Sequence, residues 1–486
     1  MRSFISRLLK DSAVYGIPGI TGKAMGIILL PILTRYLSPD EYGMAEFLTV
    51  SGNIISCFII LAMNASQTIF FYDAETETDK KNVITTRIVF LLVWGSLITG
   101  TVLLAAPSVL RLASQQHIPF IIIAFAFAGI FVNTIREAIL GLFRLVFWKW
   151  RYIVLANGQL VITYGLMLVF IVGNGMGLTG YFLAPLIGAS FAVLAGLFWM
   201  RKWLRGRFSF SLNKKMLAFG IPLMPTDLAL WWISFGERFF IMRDLSMAQL
   251  GAYSVGARLA SVVTLAMWAF RLAWGPLALS MQKEPESRRF YSFVDGGLKA
   301  AASCFVILLT AVSPIAIDLL ASPKYYEGYQ VVGFVSYGAF FSSIYWVSGL
   351  AIVIHKKTAY LTTAIIISSL ASIGLFLGLI PLFGMVGAAA AGCLSHVIGN
   401  LFVVYFGEKV EAIGFSIPRT IAMVIWTLAA IATELHIIKI PVALIDKVVY
   451  LSAINFVSWL ALVLLGVRLA EIKRIIHHLK GMIHAR

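Results

Sequence analysis

Lys23, Asp227 and Arg258 stand inside apolar runs long enough to cross a bilayer. A charge at mid-bilayer costs about 2.5–3.5 kcal/mol on insertion scales, so each needs a partner or a water-filled cavity. Asp227 and Arg258 are placed evenly about Met242-Arg243, so an antiparallel hairpin brings them to similar depth. One reading is a structural Asp–Arg pair. The other is that Lys23, Asp227 and Arg258 line one groove, whose net positive charge suits an anion. Pro222 and Pro225 precede Asp227 and remove backbone donors, so carbonyls near Ala218 and Ile221 lose partners. In a membrane that is tolerated beside protein or water, and a kink or cavity wall is predicted there.

Other polar residues have a structural and a functional reading. Arg271 ends its run and either snorkels to the interface or adds to the groove. His396 and Asn400 share a helix face at i, i+4, as an interhelical hydrogen-bonding pair or as a groove wall. Arg136 and Glu137 are interfacial residues or a cavity mouth, and Glu46 stands where it could be solvated. Trp231 and Trp268 read as packing before sugar platforms, and Tyr325, Tyr326 and Tyr329 fit an interfacial belt. Cys57, Cys304 and Cys393 are scattered without metal or redox spacing.

These residues must be carried by helices in lipid. The 486 residues are 60% apolar and 13% charged, against about 45–50% and 25% in soluble domains. That excludes a soluble globular protein, a disordered chain and a nucleic-acid binder. Runs of about 20 apolar residues span roughly 30 Å of hydrocarbon as helices. Fourteen are read: 13–34, 44–68, 85–109, 118–142, 153–173, 178–200, 216–236, 249–273, 297–321, 329–353, 359–381, 385–406, 417–436 and 447–467. None alternates in polarity as a β-barrel strand would. The first run follows Arg2, Arg7 and Lys10 but exceeds a signal peptide's core and ends in Thr34-Arg35-Tyr36, so it is read as a retained helix. About 29 of the 39 Lys and Arg fall on one set of alternate connections and about 7 on the other. The rich side, with both termini, is predicted to be cytoplasmic. The net charge of +17 then fixes topology and touches anionic lipid.

The sequence also repeats. Gly16-Ile17-Pro18 matches Gly220-Ile221-Pro222, Leu37-Ser38 with Gly43 matches Leu245-Ser246 with Gly251, and Gly177-Leu178-Thr179-Gly180 matches Gly384-Met385-Val386-Gly387. The near-constant offset predicts a duplicated six-helix unit, a parallel repeat about an axis along the membrane normal. Asp227, shifted by the first offset, falls on Lys23. The expected organisation is a lobe over 1–205, a second over 206–412, and two further spans with a basic tail over 413–486. Gly175-x-Gly177-x-x-Gly180 fits a dinucleotide fingerprint formally but lacks its strand context, and reads as a tight turn. The sequence has no Walker-type phosphate loop, no HExxH, no GxSxG and no Cys/His cluster. No cofactor, metal or enzymatic activity is expected, and the connections on the Lys/Arg-poor side are too short for a soluble catalytic domain.

Residues 8–43 (LLKDSAVYGIPGITGKAMGIILLPILTRYLSPDEYG), with Leu29–Gly43 the most specific part, resemble the start of bacterial polysaccharide exporters, the Wzx-type O-antigen and capsule flippases. The segment from Pro381 (PLFGMVGA) is similar to that family's turn before span twelve. The resemblance implies an all-α polytopic membrane protein, with two six-helix lobes around a V-shaped central cavity and alternating access. It implies a substrate, a polyprenyl-pyrophosphate-linked oligosaccharide moved to the outer leaflet of the bacterial inner membrane. It also implies cationic cavity residues, for which Lys23 and Arg258 are placed, and company with a polysaccharide polymerase and chain-length proteins. A second reading is a proton- or sodium-coupled multidrug antiporter of the same fold, with Asp227 as the cation site.

Overall fold

The computed structural model describes residues 2–113, 118–282, 284–441 and 443–466. The basic tail beyond Gly466 lies outside the described residues. Among these residues every regular element is a helix. The chain divides into two compact units, Met1–Ala252 and Tyr253–Arg486.

The first unit holds α1 (Arg2–Ile28), α2 (Leu30–Tyr36), α3 (Pro39–Ile60), α4 (Met63–Asp73), α5 (Glu77–Ala113), α6 (Phe120–Leu145), α7 (Lys149–Met167) and α8 (Gly177–Met200). It continues through α9 (Phe210–Gly220), α10 (Met224–Phe235), α11 (Glu237–Asp244) and the opening turns of α12 (Met247–Ala260). Its core gathers Ile59, Met63, Phe71, Ile139, Phe143 and Met216. Helix α9 packs on α4 and α5, and α10 packs on α3. The seventh span therefore joins the preceding six, and the packing boundary falls later in the chain than the duplication boundary.

The second unit continues α12 and holds α13 (Val262–Ser280), α14 (Ser287–Leu320), α15 (Tyr329–Ser348), α16 (Leu350–Ile354), α17 (Ala359–Val410), α18 (Ile417–Lys439) and α19 (Leu444–Gly466). Helix α14 packs on α15, α18 and α19, and α15 packs on α17.

Among the described residues twelve helices are long and apolar enough to cross a membrane, and the pair Tyr15–Ile28 and Leu30–Tyr36, bent by 42°, makes a thirteenth candidate. The 52-residue α17 is broken at Gly384 (φ 58°, ψ −137°) and covers two of the predicted runs. Counted so, each of the fourteen runs finds its helix. Several helices continue past the apolar run; α14 begins at Ser287, ten residues before the run edge at 297.

The repeated motifs share local geometry. Ser38 caps α3: its Oγ accepts from the Glu41 N–H, and its own N–H donates to Glu41 Oε2 at 2.8 Å. Ser246 Oγ accepts from the Gln249 N–H at the start of α12. The capping box at Ser38 and the side-chain cap at Ser246 fix the entry of each helix. Gly43 and Gly251 then meet each other: a Cβ on Gly43 would overlap the Met247 carbonyl, and one on Gly251 the Pro39 carbonyl. Two copies of one motif thus cross backbone to backbone, which only small residues permit. In the other repeat, Gly177 (φ 49°) and Gly384 (φ 58°) both take the left-handed conformation that reverses the chain. Gly180 and Gly387 then pack against the preceding helix too tightly for a Cβ.

We expect Gly43→Val to lower the melting temperature of the purified protein, because the added side chain must push a carbonyl aside at about 1–3 kcal/mol. Gly158→Ala on α7, where nothing lies within 4 Å of an added Cβ, serves as the neutral control. Equal melting temperatures would remove the crossing from the account.

Candidate functional site

Three spans of the first unit are broken. The first span bends between α1 and α2. The second breaks at Leu61 (φ 50°) and Ala62 (φ 52°), two adjacent non-glycine residues in the left-handed region. Such residues cost of order 1–3 kcal/mol each and persist only where the surroundings hold them. The seventh span breaks at a 3-10 turn, Ile221–Leu223, containing Pro222, so the predicted kink is present. The second and seventh breaks lie together: a Cβ on Gly220 would strike the Leu61 carbonyl, and Ser66 Oγ donates to the Met216 carbonyl at 2.7 Å.

A cation stands on the bent first span, and an amide and an acid stand at the other two breaks. Lys23 is exposed on α1, where Tyr164 OH donates to the neighbouring Gly22 carbonyl at 3.3 Å. Asn64 is exposed on α4, and Asp227 is exposed on the first turn of α10. The Asp227 carboxylate lies within electrostatic reach of Cys57, one turn before the Leu61 break. Behind Asn64 sits Arg87, 1% exposed, whose Nη2 donates to Asn64 Oδ1 at 3.4 Å. Its Nε and Nη1 have no acceptor among the described residues.

The remaining predicted residues fall elsewhere. Arg258 is half-buried on α12, in the second unit. Arg271 is exposed on α13, and its guanidinium lies 3.8 Å from the centroid of the Trp346 ring. Arg136 pairs with Glu137 and donates from Nε to Asn133 Oδ1 at 3.0 Å. His396 is half-buried, and its carbonyl accepts from Tyr345 OH at 3.1 Å. Asn400 is fully buried and donates from Nδ2 to Ser348 Oγ at 3.1 Å. Its amide therefore works as an interhelical bond between α17 and α15. Tyr325 and Tyr329 are buried rather than belted at an interface, because the 3-10 turn Pro323–Gly328 folds them inward; Tyr326 stays exposed. Trp231 is buried packing.

Sequence reading missed two charge clusters. Glu46 is not solvated. It accepts from Arg238 Nε at 2.9 Å, while Arg238 Nη1 donates to Glu237 at 2.6 Å. Arg238 is 8% exposed, and its one guanidinium binds the buried Glu237 and the half-buried Glu46 and ties α11 to α3. The adjacent turn carries Arg243, which donates to Asp244 at 2.5 and 2.7 Å and holds that carboxyl below the usual carboxylate range. In the second unit Lys299 Nζ donates to Asp295 at 2.6 Å and to Thr420 Oγ1 at 3.1 Å, all buried. The i, i+4 spacing of Asp295 and Lys299 was a usable signal; the 192 residues between Glu46 and Arg238 gave none. Among the described residues no three His, Cys, Asp or Glu gather as a metal-ligand set.

Solved structures place this architecture. A lipid II flippase MurJ in an inward closed conformation aligns over 93% of this chain and 98% of its own, with a TM-score of 0.65 and 14% identity. A multidrug resistance MATE family transporter of the MOP superfamily, inward-facing, aligns over 83% and 95%, with a TM-score of 0.61 and 15% identity. A Vibrio cholerae MATE transporter variant aligns over 84% and 99%, with a TM-score of 0.55 and 15% identity. The fold is that of the MurJ and MATE transporters, a multi-pass helical membrane protein. Within that class, residues 8–281, more than half of the chain, match the polysaccharide biosynthesis protein family, and the chain belongs to it. No curated protein sequence matches the chain.

Removing Arg238 strands the buried Glu237 carboxylate and the half-buried Glu46 carboxylate. We expect Arg238→Ala to destabilise the protein by about 3–5 kcal/mol, the range for a broken buried pair. Arg243→Ala, on an exposed side chain, should stay within about 0.5 kcal/mol. Denaturant or thermal unfolding of the two variants in one detergent measures the contrast, and equal losses would contradict it.

Proposed function

We propose that this transporter moves a polyprenyl-pyrophosphate-linked oligosaccharide from the cytoplasmic to the outer leaflet of the bacterial inner membrane. The observation that carries the reading is Lys23, exposed in a broken apolar span, in a chain belonging to a polysaccharide biosynthesis family. Each sugar hydroxyl costs several kcal/mol to bury unpaired in hydrocarbon, so unassisted crossing is negligible. A hydrated groove suffices if the lipid tail stays in the bilayer. Broken spans supply such a groove, because irregular backbone at membrane depth belongs beside water or protein. The pyrophosphate calls for cations, which Lys23 and Arg258 provide by charge-assisted hydrogen bonds. With the cytoplasm negative, moving two negative charges outward gains about 4–5 kcal/mol per 100 mV. The sequence carries no Walker motif, and this drive needs none.

In this reading the two sequence repeats are the halves of an alternating-access cycle, both termini are cytoplasmic, and Arg271, His396, Arg136 and Glu137 contact substrate as the cycle proceeds. Asn400 joins them only if α15 and α17 part. A polysaccharide polymerase and chain-length proteins are the partners that take the flipped product. A second reading, a proton- or sodium-coupled drug antiporter, is favoured by Asp227, an acid uncovered by protein in a broken span.

Complementation of a flippase-null strain decides between them. Wild type should restore surface glycan, and Lys23→Ala and Arg258→Ala should each cut it at least about tenfold, the loss of one charge-assisted contact, at equal membrane abundance. Full export by both variants would remove these residues from the mechanism. Failure of the wild type with gain of drug resistance would favour the antiporter.

A further inference from the structure

The second unit encloses a line of polar side chains that the transport reading does not use. On α18, Thr420, Thr427 and Glu434 recur every seventh residue and are all buried. On α14, Asp295, Lys299, Ser303, Thr310 and Ser313 follow one face and are all buried. At about 1.5 Å per residue the α18 series rises about 21 Å, most of the hydrocarbon thickness. Hydrogen bonds join its members in separate groups. Lys299 bridges Asp295 and Thr420. Ser303 and Tyr337 OH share a hydrogen bond at 3.0 Å, and Tyr337 also reaches Thr427. Thr310 and Ile431, the latter one turn before Glu434, both lie against Gly333. The Asp295 end opens on a polar cleft lined also by Ser292, Ser416 and Arg419, on the side that the Lys/Arg count assigns to the cytoplasm.

Glu434 closes the other end. It is 0% exposed, and its Oε1 accepts from Asn455 Nδ2 on α19 at 2.7 Å. Asn455 Nδ2 spends its second hydrogen on the Leu451 carbonyl at 2.9 Å. That leaves Glu434 Oε2 and Asn455 Oδ1 buried, both acceptors, with no donor among the described residues. Two buried acceptors on hydrogen-bonded neighbours lack one hydrogen, and a proton on the carboxyl supplies it. Besides Arg419, His436 and Lys439 on α18 itself, the ionisable groups on the surrounding helices include Asp295, Lys299 and Asp318 on α14, Tyr337 on α15, His396 on α17, and Asp446, Lys447 and Tyr450 on α19. The Lys447 ammonium is committed to the Ile438 carbonyl at 2.9 Å, and Lys299 to Asp295. No described hydrogen bond or salt bridge brings a cation to Glu434.

We propose that Glu434 and Asn455 form a proton-binding site, an acid–amide pair in which Oε2–H donates to Asn455 Oδ1 and Oε1 accepts from Nδ2. The polar line from the Asp295 cleft is its route to water. A neutral pair fits the setting, since an unpaired carboxylate in a dry interior is far costlier than a satisfied acid. The ligand is one proton, and binding it needs no other reactant.

Infrared difference spectroscopy on the full chain in lipid nanodiscs at neutral pH tests this directly. Wild type minus Glu434→Gln should show one protonated-carboxyl C=O band that shifts in heavy water, with no carboxylate band lost. Loss of a carboxylate band instead would overturn the proposal. Asn455→Leu covers the case in which Glu434→Gln does not fold: the protonated-carboxyl band should move or vanish, and an unchanged band would refute the pair. The spectra do not depend on what is transported, so failure of the glycan reading leaves this result intact.

Discussion

A backbone in lipid must satisfy its own hydrogen bonds, and the rest of this structure follows from that constraint. It makes every described element a helix. It also makes each departure from helix informative. The second and seventh spans break side by side, at Leu61–Ala62 and Ile221–Leu223. Asn64 and Asp227 stand at those breaks, and Lys23 stands in the bent first span. Strain and polarity are thus found in the same three spans, as expected where water or a polar ligand takes over the freed backbone groups.

Elsewhere the chain keeps its polar groups dry by pairing them. One arginine serves Glu46 and Glu237, one lysine serves Asp295 and Thr420, and Asn400 serves Ser348. In membranes such bonds position helices where the hydrophobic effect cannot. The duplicated Leu-Ser…Gly motif does the same by another means. Its serine caps the helix and its glycine admits the partner backbone, so both copies are needed for the Gly43–Gly251 crossing.

The spans, the proline break and the two Gly-x-x-Gly turns were legible in the sequence, because length, hydropathy and glycine each have a local physical meaning. Span edges were less so, since helices such as α14 run on past their apolar stretch. The candidate site was legible only as isolated charges. Lys23 and Asp227 announce themselves by standing in apolar runs. Glu46 and Arg238 do not, because their pairing depends on how α11 docks on α3. Glu434 and Asn455 escape the hairpin reasoning applied to Asp227 and Arg258, because they lie unevenly about the turn between α18 and α19.

The central claim is a groove that passes a sugar and a pyrophosphate but leaves the lipid tail outside. Its most direct test is transbilayer movement of a fluorescent polyprenyl-pyrophosphate oligosaccharide in liposomes containing the purified chain, read by quenching from outside. The account expects protein-dependent loss of the protected fraction, without ATP and faster with an inside-negative potential. Movement no faster than in empty liposomes, with or without the potential, would contradict it.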